Sequence, residues 1–258
     1  MKGLFDLSGY VTIVTGAAGG LGSEMVKALA AQGSNIVALD LIEPPFAAEI
    51  EKQYGVKCLP LVCDITKQDD IHAAVAKTID TFGKVDALVN NAALYGGLTM
   101  KPFQEIEPEE WDRVFSINVK GTWQMTSAVV PYMMENNFGS IVNISSCSIL
   151  QGVPLLCHYV ASKGAVWAMT RTMANELGQY KIRVNSITPG YTLTQASLQL
   201  AGSKEAFEKN YQRNIDDRSI QRGMMPDDVI GAVVFLVSDA SAFITGQNIN
   251  VDGGSVHY

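Results

Sequence analysis

Seven short runs of apolar, largely β-branched residues punctuate the chain, at Tyr10–Thr15, Asn35–Asp40, Lys57–Cys63, Val85–Asn90, Ser140–Ser145, Arg183–Thr188 and Gln247–Val251. The first four are mostly apolar, which is the pattern of a strand covered on both faces, and the last three interleave apolar with polar residues. Between them lie segments with helical spacing of apolar residues, near Gly20–Gln32, Lys67–Phe82, Pro108–Asn136, His158–Tyr180 and Pro226–Ser238. The longest opens with Pro108-Glu109-Glu110, a proline and two acids in a first turn. Alternation of this kind predicts an α/β fold, a doubly wound parallel sheet of about seven strands. One stretch breaks the rhythm. Tyr191–Met225 has no strand pattern and mixed helical spacing, and an insertion there lies over the carboxyl ends of the strands, where such sheets take ligands. It is expected to form a helical substrate lid.

No linker, repeat or low-complexity tract divides the 258 residues, so residues 1–258 read as one domain. Hydrophobic residues make up 47% and charged residues only 17%, a balance that suggests surface buried again between subunits. A net charge of −7 and the absence of a basic run argue against nucleic-acid binding. The four cysteines, Cys58, Cys63, Cys147 and Cys157, form no C-x-x-C pair, and the three histidines do not cluster with them. No metal site is therefore expected, and a reducing, cytoplasmic compartment is. The first ten residues lack the apolar stretch of a signal peptide, and no run is long enough to span a membrane.

The first strand runs into Thr15-Gly16-Ala17-Ala18-Gly19-Gly20-Leu21-Gly22 and then a helix. Glycines at 16, 20 and 22 allow a tight turn, close approach of a pyrophosphate and close helix–strand packing, and the helix start offers unpaired amides to phosphate. An acid, Asp40, ends the next strand. A carboxylate there accepts both ribose hydroxyls of NAD and repels the 2′-phosphate of NADP, and Ala17, Ala18, Leu41 and Ile42 offer no cation to offset it. The fold is thus read as Rossmann-type and the cofactor as NAD.

Tyr159 and Lys163, four apart in a helical segment, share a face. A neighbouring ammonium favours the phenolate, so Lys163 is expected to lower the Tyr159 pKa toward the range useful for proton transfer. Either Ser145 or Ser146 could stand beside them. His158 is expected to face away from Tyr159's direction, since adjacent helix positions point about 100° apart. Cys147 is read as a small buried side chain.

Taken together these motifs resemble the short-chain dehydrogenase/reductase family over nearly the whole chain. The family's TGxxxGxG appears at Thr15–Gly22, and its acid along the adenine corresponds to Asp64, beside Ile65. Its N-N-A-G appears as Asn90-Asn91-Ala92-Ala93, with alanine for the last glycine. Asn118 matches the helix asparagine that holds a proton-relay water. Ser146, thirteen positions before Tyr159, matches the substrate-binding serine. Pro189-Gly190 with Thr192 and Thr194 resembles the segment that meets the nicotinamide carboxamide. The resemblance implies Asn118, Ser146, Tyr159 and Lys163 as catalytic residues. It implies Gly16, Gly19, Gly20, Leu21, Gly22, Asp40, Asp64, Ile65, Asn91, Pro189, Thr192 and Thr194 as cofactor residues, with Tyr159 and Lys163. Ser146, Ser148, Tyr159 and Tyr191 would meet the substrate. Hydride would pass between the nicotinamide and a secondary alcohol or ketone while Tyr159 exchanges the hydroxyl proton. Mainly neutral pocket walls suggest a hydroxysteroid-like or polyol-like substrate, and the family's usual assembly is a homotetramer. A 3-ketoacyl reductase of fatty-acid type, or a non-catalytic NAD-binding sensor, are the alternatives.

Overall fold

In the computed structural model, which describes residues 3–257, seven parallel strands form one sheet in the order β3-β2-β1-β4-β5-β6-β7. They are β1 (Val11–Thr15), β2 (Asn35–Asp40), β3 (Cys58–Val62), β4 (Ala87–Asn90), β5 (Gly139–Ile144), β6 (Ile182–Pro189) and β7 (Asn248–Val251). All seven fall within a residue or two of the apolar runs. Their apolar residues have a plain cause. Successive side chains point to opposite faces, and both faces are covered. Val14, Ile36 and Ala38 join a core with Met25, Leu29 and Val233, whereas Ile13, Val37 and Leu39 join one with Ile71, Met125 and Val184.

The first face carries α1 (Gly20–Ala31) and α10 (Asp227–Val237), and the second carries α3 (Gln68–Phe82), α5 (Thr122–Glu135) and α7 (Cys157–Leu177). Short α2 (Ala47–Tyr54) precedes β3, α4 (Pro108–Phe115) leads toward α5, and α6 (Ser148–Gln151) follows β5. No described helix is long and apolar enough to cross a membrane.

The spacing predicts one helical segment over 108–136, but the helix is not continuously α-helical. A π-helical turn, Ser116–Gly121, separates α4 from α5. Such a turn arises where one residue too many is accommodated in a helix, and it often marks a functional site. Residue Asn118 sits in it.

The 191–225 segment has the mixed helical character expected. It folds into α8 (Gln195–Ala201) and α9 (Lys204–Asp216), each opened by a side-chain cap: Thr194 accepts from Ser197 N and Ser203 from Ala206 N. The buried guanidinium of Arg218 ties the segment's two ends, donating to Tyr191 O at 2.6 Å and Arg222 O at 3.1 Å. A third apolar cluster of Leu98, Val114, Leu156, Tyr159 and Leu200 joins this segment to α4, α7 and the loop after β4.

Candidate active site

β1 pairs with β2 on one side and β4 on the other, so the chain reverses its winding at β1, and a crevice opens beyond the carboxyl ends of the strands there. A single cleft of about 1300 Å³ runs from this point to the 191–225 segment.

One end is made from the glycine-rich loop. Gly16 has φ 65°, and a Cβ on it would come within 2.8 Å of Ala92 Cα. A Cβ on Gly22 would run into the Gly16 carbonyl. The sequence therefore keeps glycine at both, and the loop lies flat against its neighbours. Asn91 braces it, its side-chain amide donating to Thr15 O at 3.0 Å and Gly16 O at 3.1 Å, while Thr15 Oγ1 accepts from the amides of Asn91 and Ala92. Helix α1 begins here with no side-chain cap and no acid in its first turn, so its amides face the cleft unopposed by negative charge.

Asp40 reaches the cleft from the end of β2. Its two oxygens accept from Ala18 N at 2.8 Å and Leu41 N at 2.7 Å, which fixes the carboxylate beside the loop. Asp64 and Ile65 follow β3, both lining the cleft. The Thr66 hydroxyl and amide hold Asp64 below the usual carboxylate range. These features form a cradle that a Cβ would fill, a helix N-terminus and a fixed carboxylate. They fit a dinucleotide. Pro189, Thr192 and Thr194 line the cleft farther along, with Thr192 donating to Gly190 O at 2.9 Å.

At the other end α7 carries Tyr159 and Lys163 on one face, the Lys163 Nζ lying 5.9 Å from the Tyr159 ring centroid. Lys163 donates to Ile144 O at 2.8 Å and is 3% exposed. Ser146 faces Tyr159, whereas Ser145 donates to Lys163 O at 2.8 Å. Ser145 thus fastens β5 to α7, while Ser146, whose Oγ accepts from Ser148 N at 3.2 Å, faces the tyrosine.

The expected electrostatics need correction. Burial, not the ammonium, dominates: it pushes the Tyr159 phenol above its ordinary value against a weaker pull from Ser146, and pushes Lys163 down from 10.5 to about 8. A phenol and an ammonium buried together both resist their charged forms. Burial likewise raises the Cys147 thiol to about 12, so it remains an inert thiol.

Asn118 is held by hydrogen bonds to two neighbouring elements. Its side-chain oxygen accepts from Leu94 N at 2.7 Å and its amide donates to Ser162 Oγ at 3.0 Å and Leu94 O at 3.3 Å. The side chain is thus occupied in tying the π turn to the loop after β4 and to α7, and it does not line the cleft. His158 is wholly buried and does not reach the cleft either, its Nε2 lying 3.3 Å from Glu110 Oε1. Glu110 also takes Lys101 at 2.6 Å, and Lys101 N donates to Leu155 O. This clasp of α4, α7 and two cleft loops had no sequence signal, because its members are scattered over more than fifty positions. Sequence reasoning also missed Ser162, which accepts from Asn118 and donates to Tyr159 O at 2.7 Å. Tyr95 is a further residue of the site without a sequence signal. The ring lies 4.9 Å from that of Tyr159. Ser148 and Tyr191 line the cleft as expected.

A sequence profile described as enoyl-(acyl carrier protein) reductase matches residues 16–256. The 3-oxoacyl-[acyl-carrier-protein] reductase of Thermotoga maritima is 35% identical over 252 residues, 97% of this chain and 99% of that protein. The 2-dehydro-3-deoxy-D-gluconate 5-dehydrogenase of Escherichia coli is 37% identical, covering 97% and 96%. The cyclopentanol dehydrogenase of Comamonas is 38% identical, covering 95% and 96%. Among solved structures, the 3-ketoacyl-(acyl-carrier-protein) reductase of Brucella melitensis complexed with NADH superposes with a TM-score of 0.86 at 34% identity, covering 96% of this chain and 99% of that one. The chain belongs to the short-chain dehydrogenase/reductase family, whose members are oxidoreductases that bind a nicotinamide cofactor.

Proposed function

We propose that the protein is an NAD(H)-dependent oxidoreductase interconverting a secondary alcohol and a ketone, with Tyr159 as the proton-transfer group. The observation that carries this reading is one continuous cleft with the glycine loop and Asp40 at one end and Ser146, Tyr159 and Lys163 at the other. A nicotinamide bound between them would give or accept the hydride.

The chain's own residues supply the rest. Ser146 donates to the substrate oxygen and holds it against Tyr159. Burial keeps Tyr159 a phenol at neutral pH, ready to donate its proton to a ketone oxygen as that oxygen gains charge. In the oxidative direction Tyr159 must first lose that proton, so oxidation gains from alkaline pH. Lys163, at the same end, offers donors to the nicotinamide ribose and shares the proton exchange with Tyr159. The side chain of Asn118 positions this machinery through Leu94 and Ser162.

NAD is favoured over NADP because Asp40 is fixed by two backbone amides and the neighbouring cleft residues Ala18, Leu41 and Ile42 carry no cation. Residues 191–225 act as the lid. The substrate class follows the dehydrogenase relatives, a gluconate derivative and cyclopentanol, with a 3-ketoacyl substrate as the second reading, which the similarity to a reductase complexed with NADH favours. A homotetramer fits the half-exposed Trp123 on α5.

The test is Tyr159→Phe. Turnover should fall by about two to four orders of magnitude with NADH binding, read by its fluorescence, retained. Turnover at the wild-type rate would refute the proton-transfer assignment.

A further inference from the structure

The substrate end of the cleft contains one strained backbone position. Among the described residues three non-glycine residues take a left-handed backbone, Asn137, Leu155 and Lys181. Asn137 and Lys181 come at helix ends, where that conformation is ordinary. Leu155 follows no helix. Its φ of 67° brings a leucine Cβ close to the following carbonyl oxygen, and such a position persists only where its surroundings hold it. Pro154 and Leu156 on either side line the cleft, as does Val153. Leu156, the N-cap of α7, offers no side-chain acceptor that would fix the turn locally.

What holds it converges on Glu110. Lys101 N donates to Leu155 O at 3.0 Å, and Lys101 Nζ donates to Glu110 Oε2 at 2.6 Å. Three residues beyond Leu155, His158 sets its Nε2 3.3 Å from Glu110 Oε1. One carboxylate on α4 therefore grips the turn from both sides. His158 is wholly buried, and the side chains of Lys101 and Glu110 are 23% and 17% exposed, so salt screens the contact only weakly. Lys101, together with His158, holds the Glu110 carboxyl below its usual range, so the grip is charged at neutral pH. On the inner side Leu156 packs with Leu98, Val114, Tyr159 and Leu200, which leaves the turn no room to relax inward. Leu155 itself is exposed, so the open direction is outward.

We infer that Lys101, Glu110 and His158 determine substrate size: they hold the 153–156 turn in its strained position as a wall of the cleft, and that wall limits the bulk of the alcohol or ketone admitted. None of the three lines the cleft, so each acts through the turn, as a positioning residue. With the clasp broken, Leu155 relaxes, the wall moves outward and bulkier ligands enter. The inference deepens the alcohol–ketone reading and rests on it for the chemical class of the ligand.

The test measures binding of cyclohexanone and of the bulkier adamantanone to the enzyme–NADH complex, read by NADH fluorescence, in the wild type, Glu110→Ala and Lys101→Met. The wild type should favour cyclohexanone. Each variant should raise the affinity for adamantanone relative to cyclohexanone by about tenfold, the factor that matches the strain of one left-handed leucine. Lys101→Met leaves the contact between His158 and Glu110 in place and guards against misfolding of Glu110→Ala. Leu155→Asn, added to either variant, should restore the wild-type ratio, because asparagine tolerates the left-handed region and no strain is left to drive the turn outward. A merely structural role would lower both affinities together and would not be rescued at Leu155. Equal binding of the two ketones by the wild type overturns the inference. So does a ratio unchanged in both variants, a ratio that Leu155→Asn fails to restore, or no binding of adamantanone by any variant. The readout is binding, so a shifted ratio in an enzyme that oxidises neither alcohol supports the inference and counts against the catalytic reading alone.

Discussion

Lys163 gives the protein a pH-dependent stability that can be worked out from its surroundings. The side chain is 3% exposed, its recorded partner is the Ile144 carbonyl, and no described carboxylate forms an ion pair with it. Burial lowers its pKa from 10.5 to about 8. Unfolded, the lysine keeps its proton up to the ordinary value. Folded, it releases the proton near pH 8. Between those limits the unfolded chain binds more protons, so stability rises with pH, and the unfavourable contribution is full below pH 8 and gone above 10.5. Each pKa unit is worth about 1.4 kcal/mol. The wild type should therefore gain roughly 2–3 kcal/mol between pH 7 and pH 10 from this group alone. Lys163→Met removes the titration while filling similar space. It leaves the Ile144 carbonyl unpaired, but that cost does not vary with pH. Urea unfolding of both proteins without cofactor, at one protein concentration and several pH values, reads the difference. The raised thiols of Cys58, Cys63 and Cys147 act on both proteins and cancel. A gap between wild type and variant that stays constant from pH 7 to pH 10 would show that Lys163 is not buried without a countercharge.

Two further outcomes follow from the cleft. Asp40→Asn keeps an acceptor for the Ala18 amide but removes the charge, so the ratio of kcat/KM for NAD over NADP should fall by about tenfold or more; an unchanged ratio would sink the role assigned to Asp40. Gly96→Ala places a Cβ 2.8 Å from Ala196 Cα and 2.6 Å from Gln199 Oε1, so α8 must retreat by about half an ångström or more to reach ordinary contact. KM for substrate should rise several-fold with NADH affinity little changed, and a KM equal to wild type would show that α8 does not close on this loop.

Much of this architecture is written in the chain, and the reason is physical. A strand sandwiched between helices must be apolar on both faces, so runs such as Val11–Thr15 and Gly139–Ile144, every residue buried, stand out without reference to anything else. Glycines at 16 and 22 are forced by backbone contacts, and those contacts are what a glycine motif records. Elements that bury little leave little trace. Helix α2 buries only Ile50 and α9 only Phe207, too few apolar positions to set a period, and α2 escaped notice. The π turn escaped for the opposite reason. Its residues are as helix-compatible as their neighbours, and the extra residue shows only when the hydrogen bonds are drawn.

The candidate site divides along the same line. Spacing places Tyr159 and Lys163 together, because residues four apart on a helix share a face, and the family resemblance adds Ser146. Their protonation is not legible that way, because spacing reports proximity and not burial. A lysine near a tyrosine suggests a lowered phenol, yet α7 packs both groups beneath Tyr95 and Leu156, and the loss of water outweighs their mutual influence. The same burial explains why this fold needs a second component for its chemistry. With Tyr159 held as the phenol and Lys163 near neutrality, the site is set to give a proton more readily than to take one. The oxidative half-reaction then depends on charge brought into the cleft, which the cationic ring of an oxidised nicotinamide, bound at the Tyr159 end with its pyrophosphate on the glycine loop, would supply.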